Sequence, residues 1–361
     1  MANNQRFTVD KIKVHGDPRI SHLSAYLNGY TYGLLFSPAS PSVPKRGTIF
    51  LIHGFPDISM GWRYQIPFLT NLGLDVVAPD SIGYGRTDAP PFKLQDYSYK
   101  RAADDIAELA RQLGLSKIIL GGHDWGGSIV YRVAQYYPSL IFAVFSICTP
   151  YSPPSEKYEP LDMLIEKRLP NFAYQAHFVS GEIEEAVKSK AEIRNFLNNL
   201  YGARTTDTKE VAFDANVGVD LAKQARIGKT KLLTDEEMDY YVNEYARHGV
   251  NGPLNWYRNR EVNYMNEWRD FFVSGKNTGP QAQKNLTLRM EVLFVLAKKD
   301  QALKPFMAQK MEERIPKLTR REVDAGHWAL WERPEDCNKI IAEWLETKVF
   351  PFFGSKREGK L

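Results

Sequence analysis

Three side chains, Asp124, Asp300 and His327, have types and an order that suit hydrolysis through a covalent ester. A carboxylate can attack an electrophilic carbon, and an imidazole oriented by a second carboxylate can activate the water that cleaves the resulting ester. Asp124 sits in Gly122-His123-Asp124-Trp125-Gly126, a G-x-nucleophile-x-G elbow with Asp where Ser is usual. A strand that turns at once into a helix forces its central residue into strained backbone geometry, so the neighbours must be small. The central side chain is then exposed at the positive end of a helix, beside N–H groups able to hold a developing oxyanion. Taken alone, Asp124 reads equally well as a helix N-cap, a common duty for Asp. Asp300 and His327 taken singly read as solvated loop residues. Together, each following a predicted strand, they carry more weight.

The elements that must position them follow from hydrophobic periodicity. Lys117-Ile118-Ile119-Leu120 predicts a short buried strand, and Ser128 to Ala134 a helix, on either side of the elbow. Leu23–Leu27 and Tyr30–Leu34 flank Asn28-Gly29, a two-residue hairpin signal. Apolar strands are expected at Thr48–Ile52, Val76–Pro79, Phe142–Cys148 and Val292–Leu296, with a last one at Thr319–Val323. Ile106, Leu109, Ala110 and Leu113 share a helical face that stops at Gly114, and a closing helix carries Ile340, Ile341 and Trp344. Strands alternating with helices predict an α/β fold with a mostly parallel sheet flanked by helices. From Tyr151 onward the pattern turns helical and aromatic. Pro150, Pro153 and Pro154 open that segment, and Ser274 to Pro280 closes it. The expected organisation is therefore a core of residues 1–150 and 281–361, interrupted by a mostly helical cap over 151–280.

The order nucleophile, acid, base is that of the α/β-hydrolase fold, and groups at the carboxyl ends of parallel strands can converge. His327 is the only histidine after Asp300, which fixes the base if the three act together. His53-Gly54-Phe55-Pro56 lies on the loop that supplies the second oxyanion N–H in this fold, so the amides of Phe55 and Trp125 are the oxyanion-hole candidates. His53, Gly54 and Pro56 read as structural parts of that loop. A cis bond before Pro56 would fix it, although X–Pro bonds are mostly trans. Phe55, Trp125 and Trp328 flank the reacting groups and suggest an aromatic-lined pocket, or else plain core.

Whole-chain properties narrow the function classes. With 361 residues and 43% hydrophobic content the chain can bury a large core. A formal charge of +4, with Lys and Arg dispersed, indicates neither a nucleic-acid footprint nor a polybasic membrane patch. The polar Met1–Arg6 start leads into no apolar signal segment, and no apolar run is long enough to span a bilayer. Two cysteines, Cys148 and Cys337, make no disulfide framework and fit a reducing, cytoplasmic setting. The Gly359-Lys360-Leu361 end approaches the peroxisomal S-K-L address, with Gly in place of Ser; a solvated tail is the simpler reading. There is no H-E-x-x-H, P-loop or G-x-G-x-x-G, so neither metal nor organic cofactor is expected. No feature assigns an oligomeric state.

On these motifs the chain resembles the soluble epoxide hydrolases of the α/β-hydrolase superfamily. The likeness rests on H-G-F-P at His53, G-H-D-W-G-G at Gly122, the Asp300 segment and G-H-W at Gly326. It extends into the cap through Asn171-Phe172-Ala173-Tyr174-Gln175 and Gly252-Pro253-Leu254-Asn255-Trp256-Tyr257-Arg258-Asn259. The resemblance implies that Tyr174 and Tyr257 hydrogen-bond an epoxide oxygen, that Asp124 is alkylated, and that the product is a vicinal diol. From the residues alone, each of the 19 tyrosines is more often a packing residue. Haloalkane and fluoroacetate dehalogenases also use an Asp nucleophile on this fold. Their halide sites usually carry Asn at the place of Phe55 or Arg at the place of Trp125, and this sequence has neither. An esterase would lack its hydroxyl nucleophile. A non-catalytic ligand-binding relative would have no need of all three polar groups and both tyrosines.

Overall fold

The uninterrupted apolar runs form the centre of one eight-stranded sheet. The computed structural model describes residues 9–273 and 286–353; the Met1–Arg6 start, the Ser274–Pro280 boundary and the Gly359-Lys360-Leu361 end lie outside the described residues. Along the chain the strands are β1 (Ser21–Leu27), β2 (Tyr30–Ser37), β3 (Gly47–Ile52), β4 (Leu74–Pro79), β5 (Ile118–His123) and β6 (Ile141–Ile147). After them come β7 (Phe213–Asp214), β8 (Gly218–Val219), β9 (Glu291–Ala297) and β10 (Leu318–Val323). The sheet order is β1-β2-β4-β3-β5-β6-β9-β10, parallel from β4 to β10 and antiparallel at the β1–β2 edge. Strands covered by helices on both faces need continuous apolar sequence, and every residue of β5 is buried.

Local chemistry sets the turns. Asn28 (φ 46°) and Gly29 (φ 100°) form the tight turn between β1 and β2, pairing Leu27 with Tyr30. The helix Tyr99–Gln112 begins where Ser98 accepts the Arg101 N–H and buries Ile106, Leu109 and Ala110. Leu113, expected on that buried face, is instead 45% exposed. It falls at the C-cap, where the chain is already swinging round Gly114 (φ 67°) and leaves the helical stripe.

Between β6 and β9 the described residues add no strand to this sheet. Helices dominate there, with the two-residue pair β7–β8 among them. Two of these helices, Lys190–Leu200 and Asp235–Tyr245, start with reciprocal capping boxes, Ser189 with Glu192 and Thr234 with Glu237. The segment is tied to the rest of the chain by buried polar contacts. Glu237 meets Arg63 Nε at 3.2 Å and Lys11 Nζ at 2.6 Å, and the Trp328 indole N–H donates to the Leu200 carbonyl at 2.9 Å. The Tyr241 hydroxyl donates to Asp57 at 2.8 Å, and the Tyr201 hydroxyl to the Pro56 carbonyl. No helix among the described residues is long and apolar enough to cross a membrane.

Candidate active site

At the end of β5 the chain passes through Asp124 at φ 53°, ψ −122° and enters the helix Trp125–Tyr136. That backbone is costly for any residue with a Cβ, and close neighbours hold it in place. A Cβ on Gly122 would collide with the Gly126 carbonyl, one on Gly126 with the Ile52 carbonyl, and one on Gly54 with the Asp124 carboxylate. Asp124 occupies the N-cap position but makes no side-chain capping bond. Its Oδ1 instead accepts the Phe55 N–H at 2.7 Å, from the loop after the neighbouring strand β3. The Phe55–Pro56 peptide is cis. Burial pushes the Asp124 carboxyl up, and the His327 charge and the N–H groups of Phe55 and Trp125 oppose that rise without cancelling it.

His327 follows β10 and Asp300 follows β9, so neighbouring strands deliver both to the elbow. His327 Nδ1 lies 2.7 Å from Asp300 Oδ2, and its Nε2 faces Asp124 Oδ2 at 3.7 Å. The second Asp300 oxygen accepts the N–H groups of Ala302 and Leu303 at 2.8 and 2.9 Å, which fixes the carboxylate. Burial alone would raise Asp300, but the His327 charge and these hydrogen bonds hold it below the usual carboxylate range. For His327 burial acts downward, yet Asp300 and then Asp124 outweigh it and hold the imidazole up to about 9.

Across from Asp124, the helices Ala173–Val179 and Asn251–Arg258 bring in Tyr174 and Tyr257, both 6% exposed. Their rings stand 6.1 Å apart, and the Tyr257 ring meets Trp125 edge to face at 5.1 Å. Burial, with Asp124 nearby, raises both phenols, so each keeps its proton at neutral pH. Asp124, Trp125, Tyr174 and Tyr257 line one cavity of about 550 Å³. A carboxylate beneath two phenols, with N–H groups behind it, can attack a strained ring and donate a proton to the oxygen that leaves.

Phe55 and Trp328 stand behind this wall and are not among the residues bordering the cavity. Phe55 packs its ring on Tyr257 and Phe178, and Trp328 stacks on Trp331 and meets His327 edge to face at 5.2 Å. His53 is neutral and buried: its Nδ1 is 2.9 Å from the Gly54 carbonyl and its Nε2 accepts the Ser81 N–H at 2.9 Å. Several neighbours of the site escaped sequence reasoning. The His123 ring and the Cys148 thiol both reach the His327 carbonyl, at 2.8 and 3.3 Å, and burial pushes His123 down to about 3. His123, Cys148 and His327 form the one metal-ligand grouping among the described residues, but those hydrogen bonds and Asp300 already engage them. Asp57, directly after H-G-F-P, is buried and raised to about 7 against the pull of the Ile58 N–H and the Tyr241 hydroxyl. An acid after that tetrapeptide was visible; its cap partner, 184 residues away, was not.

Comparison with known proteins assigns a family to most of the chain. A family model described as the alpha/beta hydrolase fold matches residues 47–334. The chain is 40% identical over 343 residues to epoxide hydrolase srdG of Neurospora crassa, covering 91% of this chain and 96% of that protein. It is 34% identical over 300 residues to bifunctional epoxide hydrolase 2 of Sus scrofa; the match takes in 83% of this chain and 51% of that protein, about half its length. The crystal structure of epoxide hydrolase A from Mycobacterium thermoresistibile matches with a TM-score of 0.72 at 26% identity, over 91% of this chain and 98% of the other.

Proposed function

The chain belongs to the epoxide hydrolases of the α/β-hydrolase family, and from that premise we propose that it opens an epoxide with water to a vicinal diol through an ester on Asp124. The observation that carries this reading is the placement of Asp124. Its Oδ1 is held at 2.7 Å by the Phe55 N–H, its Oδ2 faces His327, and the residue borders a cavity with two protonated phenols. Oδ2 attacks a ring carbon, the carbon–oxygen bond of the ring breaks, and Tyr174 or Tyr257 gives the departing oxygen its proton.

The ester carbonyl then keeps Oδ1 beside the amides of Phe55 and Trp125. Water attacks that carbonyl carbon, His327 takes the water's proton, and the same amides hold the oxyanion. The Cγ–Oδ2 bond then breaks, His327 gives its proton to the departing diol oxygen, and the proton of the re-formed Asp124 carboxyl restores the phenol. Asp300 positions His327 throughout. Ester formation also removes the Asp124 charge that helps keep His327 protonated. The imidazole therefore sheds its proton more readily and is free to accept one at the step that needs a base. The helices between β6 and β9 act as the cap, carrying both phenols and limiting water to the reacting groups.

Diol formation from a panel of aryl and alkyl epoxides, with wild type and Asp124→Ala in parallel, tests the proposal. Diol from wild type alone is expected. Equal diol from the variant would remove Asp124 from the chemistry. Halide release from haloalkanes with no diol from epoxides would move the chain to dehalogenation.

A further inference from the structure

The helix that begins at the nucleophile continues along the cavity as a polar floor. Residues three and four apart share a helix face, and Trp125, Ser128, Tyr131 and Arg132 all border the cavity with Asp124. Arg132 is 8% exposed. Its Nε donates to Glu267 Oε1 at 2.6 Å, and its Nη1 to the Ser152 carbonyl at 2.8 Å and to Gln135 Oε1 at 3.2 Å. Nη2 has no hydrogen-bond partner among the described residues. The guanidinium stands 5.4 Å from the Tyr99 ring, which also borders the cavity. Unlike the Arg63 nitrogens that lack a hydrogen bond, which are fully buried, Arg132 Nη2 keeps some exposure, so a group entering the cavity can reach it. A group already nine-tenths buried, bordering the cavity with a donor to spare, is built to receive an acceptor.

The chemistry of that acceptor follows from the neighbours. Glu267 also borders the cavity and neutralises Arg132 through the 2.6 Å pair. An incoming carboxylate would meet a carboxylate, whereas an uncharged oxygen would not. Leu164, Leu169, Phe172, Leu303 and Met307 supply an apolar part of the same cavity. Eight residues of helical rise separate the backbone of Arg132 from that of Asp124 by about 12 Å along the helix axis, which puts the guanidinium well away from the reacting carboxylate. We propose that Arg132 Nη2 is a specificity-determining donor, selecting uncharged epoxides with an ester, ketone, ether or hydroxyl oxygen remote from the ring. The inference rests on the epoxide-hydrolysis reading above.

Three terminal epoxides on straight chains long enough to reach from Asp124 to the Arg132 guanidinium, ending in methyl, methyl ester or carboxylate, test it on the full chain. Wild type should turn over the ester with kcat/KM at least about tenfold above the methyl compound, the worth of one hydrogen bond to a charged donor. The carboxylate should do no better than the ester. Replacing the pair together, Arg132→Met with Glu267→Met, leaves no lone buried charge and should bring the ester-to-methyl ratio to about one. Arg132→Lys keeps the charge and loses the fork of donors, so it should also lower that ratio, and it guards against misfolding of the double variant. Equal kcat/KM for the three compounds in wild type, a tenfold preference for the carboxylate, or an unchanged ratio in Arg132→Lys would each overturn the inference while leaving the hydrolase reading intact. Absence of diol from all three would defeat that reading and this inference with it.

Discussion

Asp124→Asn should release His327 from its high protonation range. The amide has nearly the shape of the carboxylate and the neutrality of the ester, so it imitates the state in which a base is needed. His327 Nε2 and Asp124 Oδ2 are 3.7 Å apart. Unit charges at that separation attract by about 1 kcal/mol with full water screening and about 4 kcal/mol at an effective dielectric of 20. His327 retains 21% side-chain exposure, so the effect lies between these limits. Its protonation equilibrium should weaken by a factor between about five and about a thousand. The midpoint then moves from about 9 toward neutrality. Titration of the histidine ring resonances by NMR measures this directly, and Asp300→Asn should give the larger fall because Asp300 also accepts the Nδ1 hydrogen bond. The sign carries over to stability. A folded value above the unfolded 6.5 contributes stability that is complete below that pH and is lost as pH rises through about 9. That alkaline loss should shrink in Asp124→Asn. An unchanged His327 midpoint in the variant would refute the coupling between ester formation and base strength.

Two further perturbations separate chemistry from architecture. Tyr257→Phe removes one proton donor to the departing oxygen and should slow ring opening by about 10² while changing ester hydrolysis less than tenfold; stopped-flow fluorescence from Trp125, 5.1 Å from that ring, resolves the two phases. A larger effect on the second phase would remove Tyr257 from ring opening. Gly126→Ala drives a Cβ into the Ile52 carbonyl, backbone that cannot swing aside, and should cost about 2 kcal/mol or more in denaturant unfolding. A variant with unaltered midpoint and activity would mean the elbow tolerates a side chain there.

Much of this arrangement was legible in the sequence because it depends on local constraint. The elbow announces itself through glycines with no room for a Cβ, the hairpin through Asn28-Gly29, and the parallel strands through unbroken apolar runs. Asp300 was found because it follows such a run, whereas the strand before His327 is the polar Leu318–Val323, and His327 was found as the only histidine after Asp300. The tyrosines were different: Tyr174 and Tyr257 look like any others by spacing, and only the resemblance singled them out. The pairing of Arg132 with Glu267, and of Asp57 with Tyr241, had no signal, although Asp57 itself was visible after H-G-F-P. Their partners lie 135 and 184 residues apart, and pairing across that distance leaves no periodic trace. Leu113 failed for a related reason, since an apolar residue at the right interval says nothing about where the last helical turn ends.

The loop that carries the Phe55 amide is gripped from the cap. Tyr201 binds the Pro56 carbonyl, Tyr241 the Asp57 carboxyl and Tyr245 the Asp57 carbonyl, the last at 3.4 Å. Cap and core are therefore not interchangeable modules for the engineer. A cap transplanted from another hydrolase to change the pocket would have to bring these three hydroxyls with it. One that lacked them would loosen the amide that holds Asp124, even with Tyr174 and Tyr257 faithfully copied. Recombination between relatives should succeed where crossovers keep residues 55–58 together with the helices that bear these tyrosines.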